Sequence, residues 1–406
     1  MSTLHSDICI VGAGPAGAVA ALTLANAKIP HLLLDAARFP RDKVCGDGLD
    51  LKVIRVLRQL NPDWVNELNP DNGFAQAWGA RMITPAGESL DYALPLHPDA
   101  APLYRVARRM DFDDFLVRRL NAEWTDFRQQ TAVSAIQKTP EGWMLQAVSD
   151  GQPLQITCRL LIGADGDHSV VLRGLGERKI ERRHYAASQR QYWKQVEGLS
   201  AQGFIEFYFP KRYPWSYFWI FPLPDGSANV GFIMLSEAIS RYKVNVREAL
   251  QDIIENDPVM APRFVNAQAE GKAQGWGLPL SSRRRRIYGD GYLLAGDAAS
   301  LICPVTGEGI GTAMLSGYLA GQFAEKAVSN GRFEASDLSG YERQVYRRLA
   351  DENRLADLLW YAQKLPWSWS AWLLNTVLPA KWMQWAFRRM AKGWMQTAFH
   401  RPIRID

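Results

Sequence analysis

The chain has 406 residues, enough for two to three domains of roughly 100 to 200 residues each and for a sizeable core. Apolar residues make up 47% and charged residues 22%, which is ordinary globular usage and excludes collagen-like, low-complexity and disordered chains. Residues 358–406 hold seven Lys or Arg against one acid, so the net charge of +5 is concentrated at one end and favours a local anionic surface over nucleic acid as a partner.

The four cysteines are scattered and none forms a CxxC pair, which predicts neither a disulfide framework nor a metal site. This usage is typical of the reducing cytosol. The first residues lack the basic-then-apolar order of a signal peptide, and residues 365–380, the longest uncharged stretch near the C-terminus, are too few to span a bilayer. We therefore expect a cytoplasmic protein.

The first predicted elements indicate a nucleotide site. Residues 7–11 form a short predicted strand that leads into the motif G-x-G-x-x-G, beginning at Gly12, and into an Ala/Leu-rich helix. In such a turn the first glycine permits the tight bend, the second admits a pyrophosphate and the third lets the helix pack on the strand. A second strand, residues 31–34, ends at Asp35, an acid that can accept ribose hydroxyls. The alternative is an ordinary glycine turn, and the motif does not separate NAD from FAD.

Later junctions carry further acids and glycines. A meander of three short predicted strands between residues 131 and 162 leads into Gly-Ala-Asp-Gly, whose acid is Asp165. A later apolar strand ends in Gly-Asp at Asp297, and a glycine-rich segment around Glu308 begins a long helix. An acid at such a junction can bind a ribityl hydroxyl, and glycine N–H groups at a helix start can approach a flavin ring or a phosphate. Each segment alone is more often a structural turn.

In this order, the segments resemble the glutathione-reductase-type FAD fold, in the branch of p-hydroxybenzoate-hydroxylase-like monooxygenases, over roughly residues 5–325. The resemblance includes the helix motif R-x-x-F-D-x-x-L, which begins here at Arg109 and has a solvated helix charge as its alternative interpretation. It implies FAD as the cofactor. The cofactor-binding residues expected from these motifs are Gly12, Gly14, Pro15, Ala16, Gly17, Asp35, Ala36, Arg41, Cys45, Gly46, Arg109, Asp165, Gly296, Asp297, Pro304, Gly307, Glu308, Gly309 and Ile310.

Two other segments resemble the distinguishing motifs of the geranylgeranyl reductase family. Residues 41–48 (RDKVCGDG) are similar to K-x-C-G-G, and residues 214–222 (PWSYFWIFP) are similar to Y-x-W-x-F-P. Alternate residues of a strand share a face, so the three aromatics of the second motif would form an apolar wall beside the flavin; the alternative is plain core. The resemblance implies catalytic roles for Cys45, Tyr217 and Trp219 and a substrate pocket of Asp47, Tyr217, Trp219, Phe221 and Pro222.

The chain departs from the family pattern in two places. C-G-G reads Cys45-Gly46-Asp47, which puts a carboxyl where the pattern has no side chain. After GADG, the familiar S-x-V-R reads Ser-Val-Val-Leu, with Arg173 one place late. No second G-x-G-x-x-G follows a strand, so a stable NAD(P)H domain is not expected. The electron donor stays open among NAD(P)H, ferredoxin and a quinol.

The resemblance implies an FAD-dependent oxidoreductase that reduces C=C bonds of a hydrophobic, isoprenoid-like substrate by hydride transfer from reduced flavin. Such a reduction also needs an acid, for which Cys45, Asp47 and Tyr217 are candidates. The first alternative is an FAD-dependent monooxygenase, and a hydroxylase rather than a halogenase, because the halogenase motif W-x-W-x-I-P is not matched at Tyr217 and Phe221. A flavoprotein electron carrier to membrane quinone and a non-enzymatic FAD-binding regulator are alternatives from other classes.

The C-terminal tail is rich in tryptophan and basic residues. Indoles interleaved with Lys and Arg are typical of a helix at a lipid interface, which predicts peripheral contact with the inner face of a membrane. The alternative is a helical cap packed on the FAD domain or on a dimer partner, and the oligomeric state stays open. The tryptophans concerned are Trp360, Trp367, Trp369, Trp372, Trp382, Trp385 and Trp394.

We therefore predict an α/β protein with a Rossmann-like FAD-binding domain, an interposed β-sheet substrate domain and a C-terminal helical region. The predicted limits are 1–75, 106–175 and 281–330 for the discontinuous FAD-binding domain, 76–105 and 176–280 for the substrate domain, and 331–406 for the C-terminal helical, Trp-rich basic region.

Overall fold

The computed structural model describes residues 2–93, 102–177 and 179–362, together with Ser368, Trp372, Thr376 and Ile403. Its strands are β1 (Ser2–Val11), β2 (His31–Leu34), β3 (Gly48–Leu49), β4 (Ala75–Ala77), β5 (Gly79–Ile83), β6 (Ser89–Ala93), β7 (Tyr104–Val106), β8 (Thr125–Arg128), β9 (Thr131–Thr139), β10 (Gly142–Ser149), β11 (Gln152–Gly163), β12 (Tyr185–Lys194), β13 (Ile205–Tyr208), β14 (Ser216–Pro222), β15 (Ser227–Leu235), β16 (Gln268–Pro279), β17 (Tyr288–Gly289) and β18 (Tyr292–Leu294). Its helices are α1 (Pro15–Asn26), α2 (Leu51–Leu60), α3 (Arg109–Val117), α4 (Val170–Gly174), α5 (Ser236–Tyr242), α6 (Val246–Asn256), α7 (Ile310–Asn330), α8 (Ala335–Arg348) and α9 (Ala350–Ala362).

The first sheet has the order β17-β18-β11-β1-β2-β8. In addition, β10 pairs antiparallel with β11, and β9 pairs antiparallel with β10. Its central strands are parallel, and Cys9 of β1 lies opposite Leu161 of β11 and Leu32 of β2. The strand β2 is buried along its whole length, as expected of a parallel strand covered on both faces. Helices α1 and α7 pack against each other, and a Cβ at Gly317 would lie only 2.0 Å from the Ala16 carbonyl oxygen. This arrangement confirms the predicted Rossmann-like α/β fold.

The second sheet has the order β16-β12-β15-β14-β13-β5-β6 and is antiparallel except between β13 and β5. Helices α5 and α6 cover one face, where Phe218 and Ile220 of β14 pack with Ile253 of α6. The opposite face carries Trp219 and Phe221 of the same strand in a separate apolar cluster. Neighbouring residues of β14 therefore serve different cores, as the period of two of a strand requires.

A small third sheet has the order β3-β7-β4. The strands of the second sheet fall between residues 79 and 93 and between 185 and 279. The division of the chain at 76–105 and 176–280 stays a prediction, because a separate sheet with its own apolar clusters does not by itself define an independent folding unit.

Helix α8 packs on α7, and α9 is tied to α2 by Lys52 Nζ, which lies 2.6 Å from Glu352 Oε1. The tail prediction rests on residues that lie mainly outside those the structure describes. Ile403, which is described, is buried in the core of the first sheet, and its N–H donates to Gln59 Oε1 at 3.2 Å. Among the described helices, none combines the length and the apolar character needed to cross a membrane.

Candidate active site

A cavity of about 430 Å³ lies where the carboxyl ends of β1, β2 and β11 face the second sheet. Open parallel sheets bind their ligands at this edge. Gly17, Pro304 and Pro222 do not line the cavity, although they were predicted as site residues. The predicted residues that do line it are Gly12, Gly14, Pro15, Ala16, Asp35, Ala36, Arg41, Cys45, Gly46, Asp47, Arg109, Asp165, Tyr217, Trp219, Phe221, Gly296, Asp297, Gly307, Glu308, Gly309 and Ile310.

The glycine turn between β1 and α1 combines close packing with open space. Gly12 has a φ of +97°, and a Cβ there would lie 2.4 Å from the Ala164 carbonyl oxygen. A Cβ at Gly17 would lie 1.8 Å from the Gly12 carbonyl oxygen, so Gly17 serves helix packing. At Gly14 a Cβ would meet only Arg41 Nη2, at 3.7 Å. Gly14 is also the N-cap residue of α1 and has no side chain to cap it, which leaves the positive end of this helix facing open space that suits an anion.

Three carboxylates at strand ends differ in how their oxygens are used. Asp35 accepts from the backbone N–H groups of Ala13 and Ala37, both at 2.8 Å, so its orientation is fixed at the end of β2. Asp297 forms an ion pair with Lys43, whose Nζ lies 3.2 Å from Asp297 Oδ2.

Asp165, the third, binds the start of α4. The Ser169 hydroxyl donates to its Oδ1 at 2.6 Å and the Val170 N–H donates to its Oδ2 at 2.7 Å. Asp165 lines the cavity, but its carboxylate caps a helix. The cofactor contact predicted for Asp165 would therefore have to use oxygen lone pairs that are not occupied by the hydrogen bonds to α4.

Arg109 is a buried ion-pair partner, only 2% exposed, which excludes the alternative of a solvated helix charge. Its Nε and Nη2 donate to the two oxygens of Asp113, each at 2.7 Å, and Arg41 Nη1 donates to Asp113 Oδ2 at 2.8 Å. Burial alone would lower the pKa of Arg109, but the charge and hydrogen bonds of Asp113 outweigh it and the nearby Cys45 acts in the same direction, so that this pKa is raised. Asp113 therefore holds both arginines at the cavity. It is part of the R-x-x-F-D-x-x-L motif, but the motif alone does not indicate this role.

The aromatic wall consists of Tyr217, Trp219 and Phe221, which lie on one face of β14. Phe207 of β13 packs edge-on against Tyr217 and Phe221, with ring centroids 5.6 and 5.4 Å apart. The Tyr217 hydroxyl donates to the Thr306 carbonyl, and burial raises the pKa of this phenol. The wall is therefore apolar on its surface and has its one hydroxyl turned to the backbone.

Asn229 of β15 joins the two family-like motifs. Trp219 Nε1 donates to Asn229 Oδ1 at 2.9 Å, and Asn229 Nδ2 donates to the Cys45 carbonyl and to Asp47 Oδ2, both at 2.8 Å. Arg190 of β12 donates to the same Cys45 carbonyl at 3.3 Å. The segment with Cys45 and the aromatic wall are therefore one hydrogen-bonded unit. Sequence reasoning missed Arg190 and Asn229, because a polar residue inside an apolar strand does not show which face it takes.

Asp47 is fully buried and has a φ of +64°, in the left-handed region that favours glycine. Its Oδ2 accepts from the Tyr192 hydroxyl at 2.7 Å as well as from Asn229. Burial raises the pKa of Asp47 to about 6, although the charge of Arg190 and the hydrogen bonds from Tyr192 and Asn229 act to lower it. The departure from the family pattern therefore places a protonatable carboxyl at the cavity.

Glu308 lies just before α7 and is a further cavity-lining carboxyl with a raised pKa, which is caused first by burial and then by the charge of Asp50. Burial also raises the pKa of Asp165. The Tyr104 hydroxyl donates to Glu308 Oε1 at 2.5 Å. Lys52 donates to Asp50 Oδ2 at 3.1 Å and lowers the pKa of Glu308 through its charge. Glu308 therefore belongs to a polar cluster with Tyr104, Asp50 and Lys52, which extends from the cavity to the start of α2.

The model of the FAD binding domain family matches residues 5–350. A digeranylgeranylglycerophospholipid reductase of Methanoculleus marisnigri is 30% identical over 343 residues, which cover 83% of this chain and 81% of that protein. A menaquinone reductase of Mycobacterium tuberculosis is 29% identical over 335 residues, which cover 79% of this chain and 76% of that protein. Among solved structures, a geranylgeranyl bacteriochlorophyll reductase-like protein from Thermoplasma acidophilum has a TM-score of 0.82 at 21% identity, covers 98% of both chains, and shows the shared fold.

Proposed function

This chain belongs to the FAD-binding-domain family of oxidoreductases that includes the geranylgeranyl reductases, and from that premise we propose that it reduces carbon–carbon double bonds of a long isoprenoid chain. The observation that carries the proposal is a single cavity with a glycine cradle on one side and the aromatic wall of Tyr217, Trp219 and Phe221 on the other. One relative is named for a lipid that carries geranylgeranyl chains, and an apolar aromatic surface suits such a chain.

The residues at the sheet edge fit FAD, the cofactor of this family. A Cβ at Gly14 would fill open space at the positive end of α1, where we propose that the pyrophosphate binds. We propose that Asp35 binds the ribose and that Asp297 and Arg109 bind the ribityl side of the cofactor, because all three line the same cavity. FAD, when bound and reduced, supplies a hydride. The chain itself binds and orients the reactants, excludes water and provides a proton.

We propose that substrate lies against the aromatic wall, with Cys45 between wall and cofactor. Trp219 is 5% exposed and Phe221 is 8% exposed, so neighbouring side chains cover most of each ring and only a small part of each faces the cavity. Cys45 and Arg109 both line the cavity, and Cys45 contributes to the raised pKa of Arg109. Of the predicted pocket residues, Pro222 ends β14 outside the cavity lining, and we assign no substrate contact to it.

The test is anaerobic reduction of the holoenzyme with dithionite, followed by digeranylgeranylglycerophospholipid or menaquinone in detergent micelles. We expect the absorbance of oxidised flavin to return and the lipid to gain two hydrogens per reduced bond in mass spectrometry. Cys45→Ser is expected to slow this reaction without loss of bound flavin.

The same experiment, run in parallel with oxygen admitted after the reduction, separates the alternatives. Flavin reoxidation that requires oxygen and yields an oxygenated lipid would assign a monooxygenase. Reduction of the quinone ring with all double bonds intact would assign an electron carrier. Either result would replace the proposed function.

We also propose that residues 76–105 and 176–280 act as a substrate domain, supported by the aromatic wall in the second sheet, and that the enzyme contacts anionic membrane surfaces peripherally. The excess of Lys and Arg in residues 358–406 supports the second point. A lipid substrate would be delivered from such a surface.

A further inference from the structure

We propose that Glu308 is the catalytic acid of this site, and that its carboxyl gives a proton to one alkene carbon while the other carbon receives a hydride. The proposal rests on the proposed reductase function. Sequence reasoning expected Glu308 only as a cofactor-binding residue and sought the acid among Cys45, Asp47 and Tyr217.

The first observation is the position of Glu308 between the aromatic wall and the proposed cofactor site. On one side of it, a Cβ at Gly307 would lie 2.9 Å from the Tyr217 hydroxyl oxygen. On the other side, a Cβ at Gly309 would lie 3.6 Å from Asp297 Oδ1. The loop before α7 therefore carries Glu308 to the junction where a substrate on the wall would meet the cofactor.

The second observation is the access to its carboxyl. Glu308 lines the cavity and is partly exposed, whereas Asp47 is fully buried. Glu308 Oε1 accepts the hydrogen bond from Tyr104. Oε2 accepts none in the part of the chain that the structure describes, and it is not among the buried side-chain atoms that lack a partner. One carboxyl oxygen is therefore held in place and the other is left for a substrate.

The third observation is the charge around this carboxyl. Asp50 and Lys52 face it from the start of α2, Tyr104 from β7 and Glu352 from α9. Lys52 Nζ lies 3.1 Å from Asp50 Oδ2 and 2.6 Å from Glu352 Oε1, so these two carboxylates already share its charge. Glu308 has only the neutral Tyr104 as its donor, and a third ionised carboxyl would give the cluster an excess of negative charge. We therefore expect Glu308 to be the member that holds a proton.

The pKa of Glu308 agrees with this charge count. Burial and the charge of Asp50 raise it to about 7, although the charge of Lys52 and the hydrogen bond from Tyr104 act to lower it. An acid whose pKa lies near the working pH is the best compromise between being protonated and giving the proton up.

The other groups at the cavity are poorer candidates. Burial raises the pKa values of Tyr217 and Cys303, both of which interact with Glu308, so neither gives up a proton readily near pH 7. Asp47 has no exposed surface through which a substrate carbon could reach it. Cys45 also lines the cavity and is partly exposed, so an experiment has to separate it from Glu308.

The proposed step is balanced in atoms and electrons. The O–H bond of the Glu308 carboxyl breaks and a C–H bond forms at one alkene carbon, and the hydride that the other carbon accepts comes from reduced FAD. The substrate gains two electrons and two hydrogens, and the cofactor returns to its oxidised form. The Glu308 carboxylate is protonated again from water, which can reach the cluster at Lys52 and Glu352, whose side chains are 27% and 26% exposed.

The first part of the test uses no substrate. We expect NMR of isotope-labelled glutamate in the flavin-loaded holoenzyme to show a carboxyl that titrates near pH 7 and disappears in Glu308→Gln. In Tyr104→Phe this carboxyl should titrate at a higher pH, because the lost hydrogen bond favours the ionised form. Glu325→Gln, at an exposed position of α7, is the matched control and should leave the signal unchanged. A Glu308 carboxyl already ionised at pH 5 would overturn the proposal whatever the substrate is.

The second part measures reoxidation of the dithionite-reduced enzyme by digeranylgeranylglycerophospholipid. We expect Glu308→Gln to lower kcat by about 10²–10⁴-fold and to remove the decline of the rate above pH 7, with the KM for the lipid unchanged. Glutamine has the same shape and can still accept from Tyr104, so retained flavin and an unchanged melting temperature exclude misfolding as the cause. Glu325→Gln should react at the wild-type rate. A wild-type rate in Glu308→Gln, or loss of the pH dependence in Cys45→Ser alone, would overturn the assignment.

A wild-type enzyme that leaves the lipid unreduced would overturn the proposed function. The carboxyl titration distinguishes that failure from a failure of the catalytic assignment. A proton held by Glu308 near pH 7 would mean that the substrate was misassigned, and a carboxyl ionised at pH 5 would mean that the acid was.

Discussion

Gly12 and Gly14 stand two residues apart in one turn but constrain it differently. Gly12 is required by the chain itself, because its φ is +97° and the Ala164 carbonyl occupies the place of a side chain. Gly14 has a φ of −66°, which alanine adopts readily, and open space where a methyl group would project. A substitution at Gly14 therefore tests ligand binding separately from folding.

We expect Gly14→Ala to fold with an unchanged melting temperature and to bind FAD at least about tenfold more weakly, or about 1.4 kcal/mol, because the methyl group occupies the cradle. Fluorescence titration of the apoprotein with FAD measures this. Gly226→Ala is the matched control: its φ of +79° makes it strained, yet no atom lies within 4 Å of its Cβ position. It should lose some stability and keep its FAD affinity.

Asp47 also predicts how stability depends on pH. Its pKa rises from 3.8 to about 6 on folding, so the folded state holds the proton more tightly than the unfolded state. The stabilisation is complete below pH 4 and is lost as pH rises through 6, by about 3 kcal/mol. The free energy of unfolding of Asp47→Asn, relative to wild type, should therefore rise by that amount between pH 4 and 7. Denaturant titrations at several pH values check it, and a constant difference would contradict the buried, protonatable carboxyl.

At the scale of elements, adjacent residues of β14 lie on opposite faces of the strand, one in the core and one at the cavity. Phe218 is fully buried under α6, and Trp219 lines the cavity. We expect Phe218→Ala to lower the free energy of unfolding by about 3–5 kcal/mol and to leave the KM for a lipid substrate unchanged. Trp219→Phe should raise the KM and lower the free energy of unfolding by less, about 1–3 kcal/mol, because Asn229 Oδ1 loses its hydrogen-bond donor. Chemical denaturation and steady-state kinetics on both variants decide it; equal KM values would mean that Trp219 is only core.

Local patterns predicted much of this architecture. The strand, glycine turn and helix at the N-terminus depend on residues close together in sequence. The fold class and the FAD cofactor, which the resemblance of several such segments implied, are confirmed. The shared face of Tyr217, Trp219 and Phe221 follows from strand periodicity and is also observed. The roles proposed for these residues stay predictions.

The partners of Asp47 could not be predicted, because they depend on strand register. Tyr192 pairs with Asn229 across β12 and β15, and a slip of one residue would turn both away from the cavity. The sequence holds no local signal for this pairing. Asp165 is the opposite case: its predicted cofactor contact overlooked a local one, since Ser169 and Val170 follow closely enough to be capped by it.

At the scale of the whole molecule, the two sheets enclose the cavity and leave the basic tail at the end of the chain. Two of the described tail residues differ in burial: Trp372 is 63% exposed, whereas Ile403 is 3% exposed. The tail therefore contacts the folded core at one position at least. Membrane binding is proposed for its remaining, basic part.

We expect replacement of Lys381, Arg388, Arg389 and Lys392 by Gln to release the protein from anionic liposomes, because each basic residue near such a surface contributes about 1 kcal/mol. Liposome co-sedimentation measures the binding, and uncharged liposomes are the control. A truncation after Ala362 should behave in the same way, although it also removes Ile403. Unchanged binding in both variants would mean that the tail is a structural cap.

The amide of Asn229 has a consequence for how this family diversifies. It contacts the Cys45 backbone carbonyl and the side chains of Asp47 and Trp219 at once, so a change at Asp47 or Trp219 leaves Asn229 with an unmatched donor or acceptor. In homologues with glycine at position 47, Tyr192 and Asn229 lose their shared acceptor, and both should be replaced by less polar residues. We therefore expect positions 47, 192 and 229 to covary across homologous sequences, with the three residues substituted together.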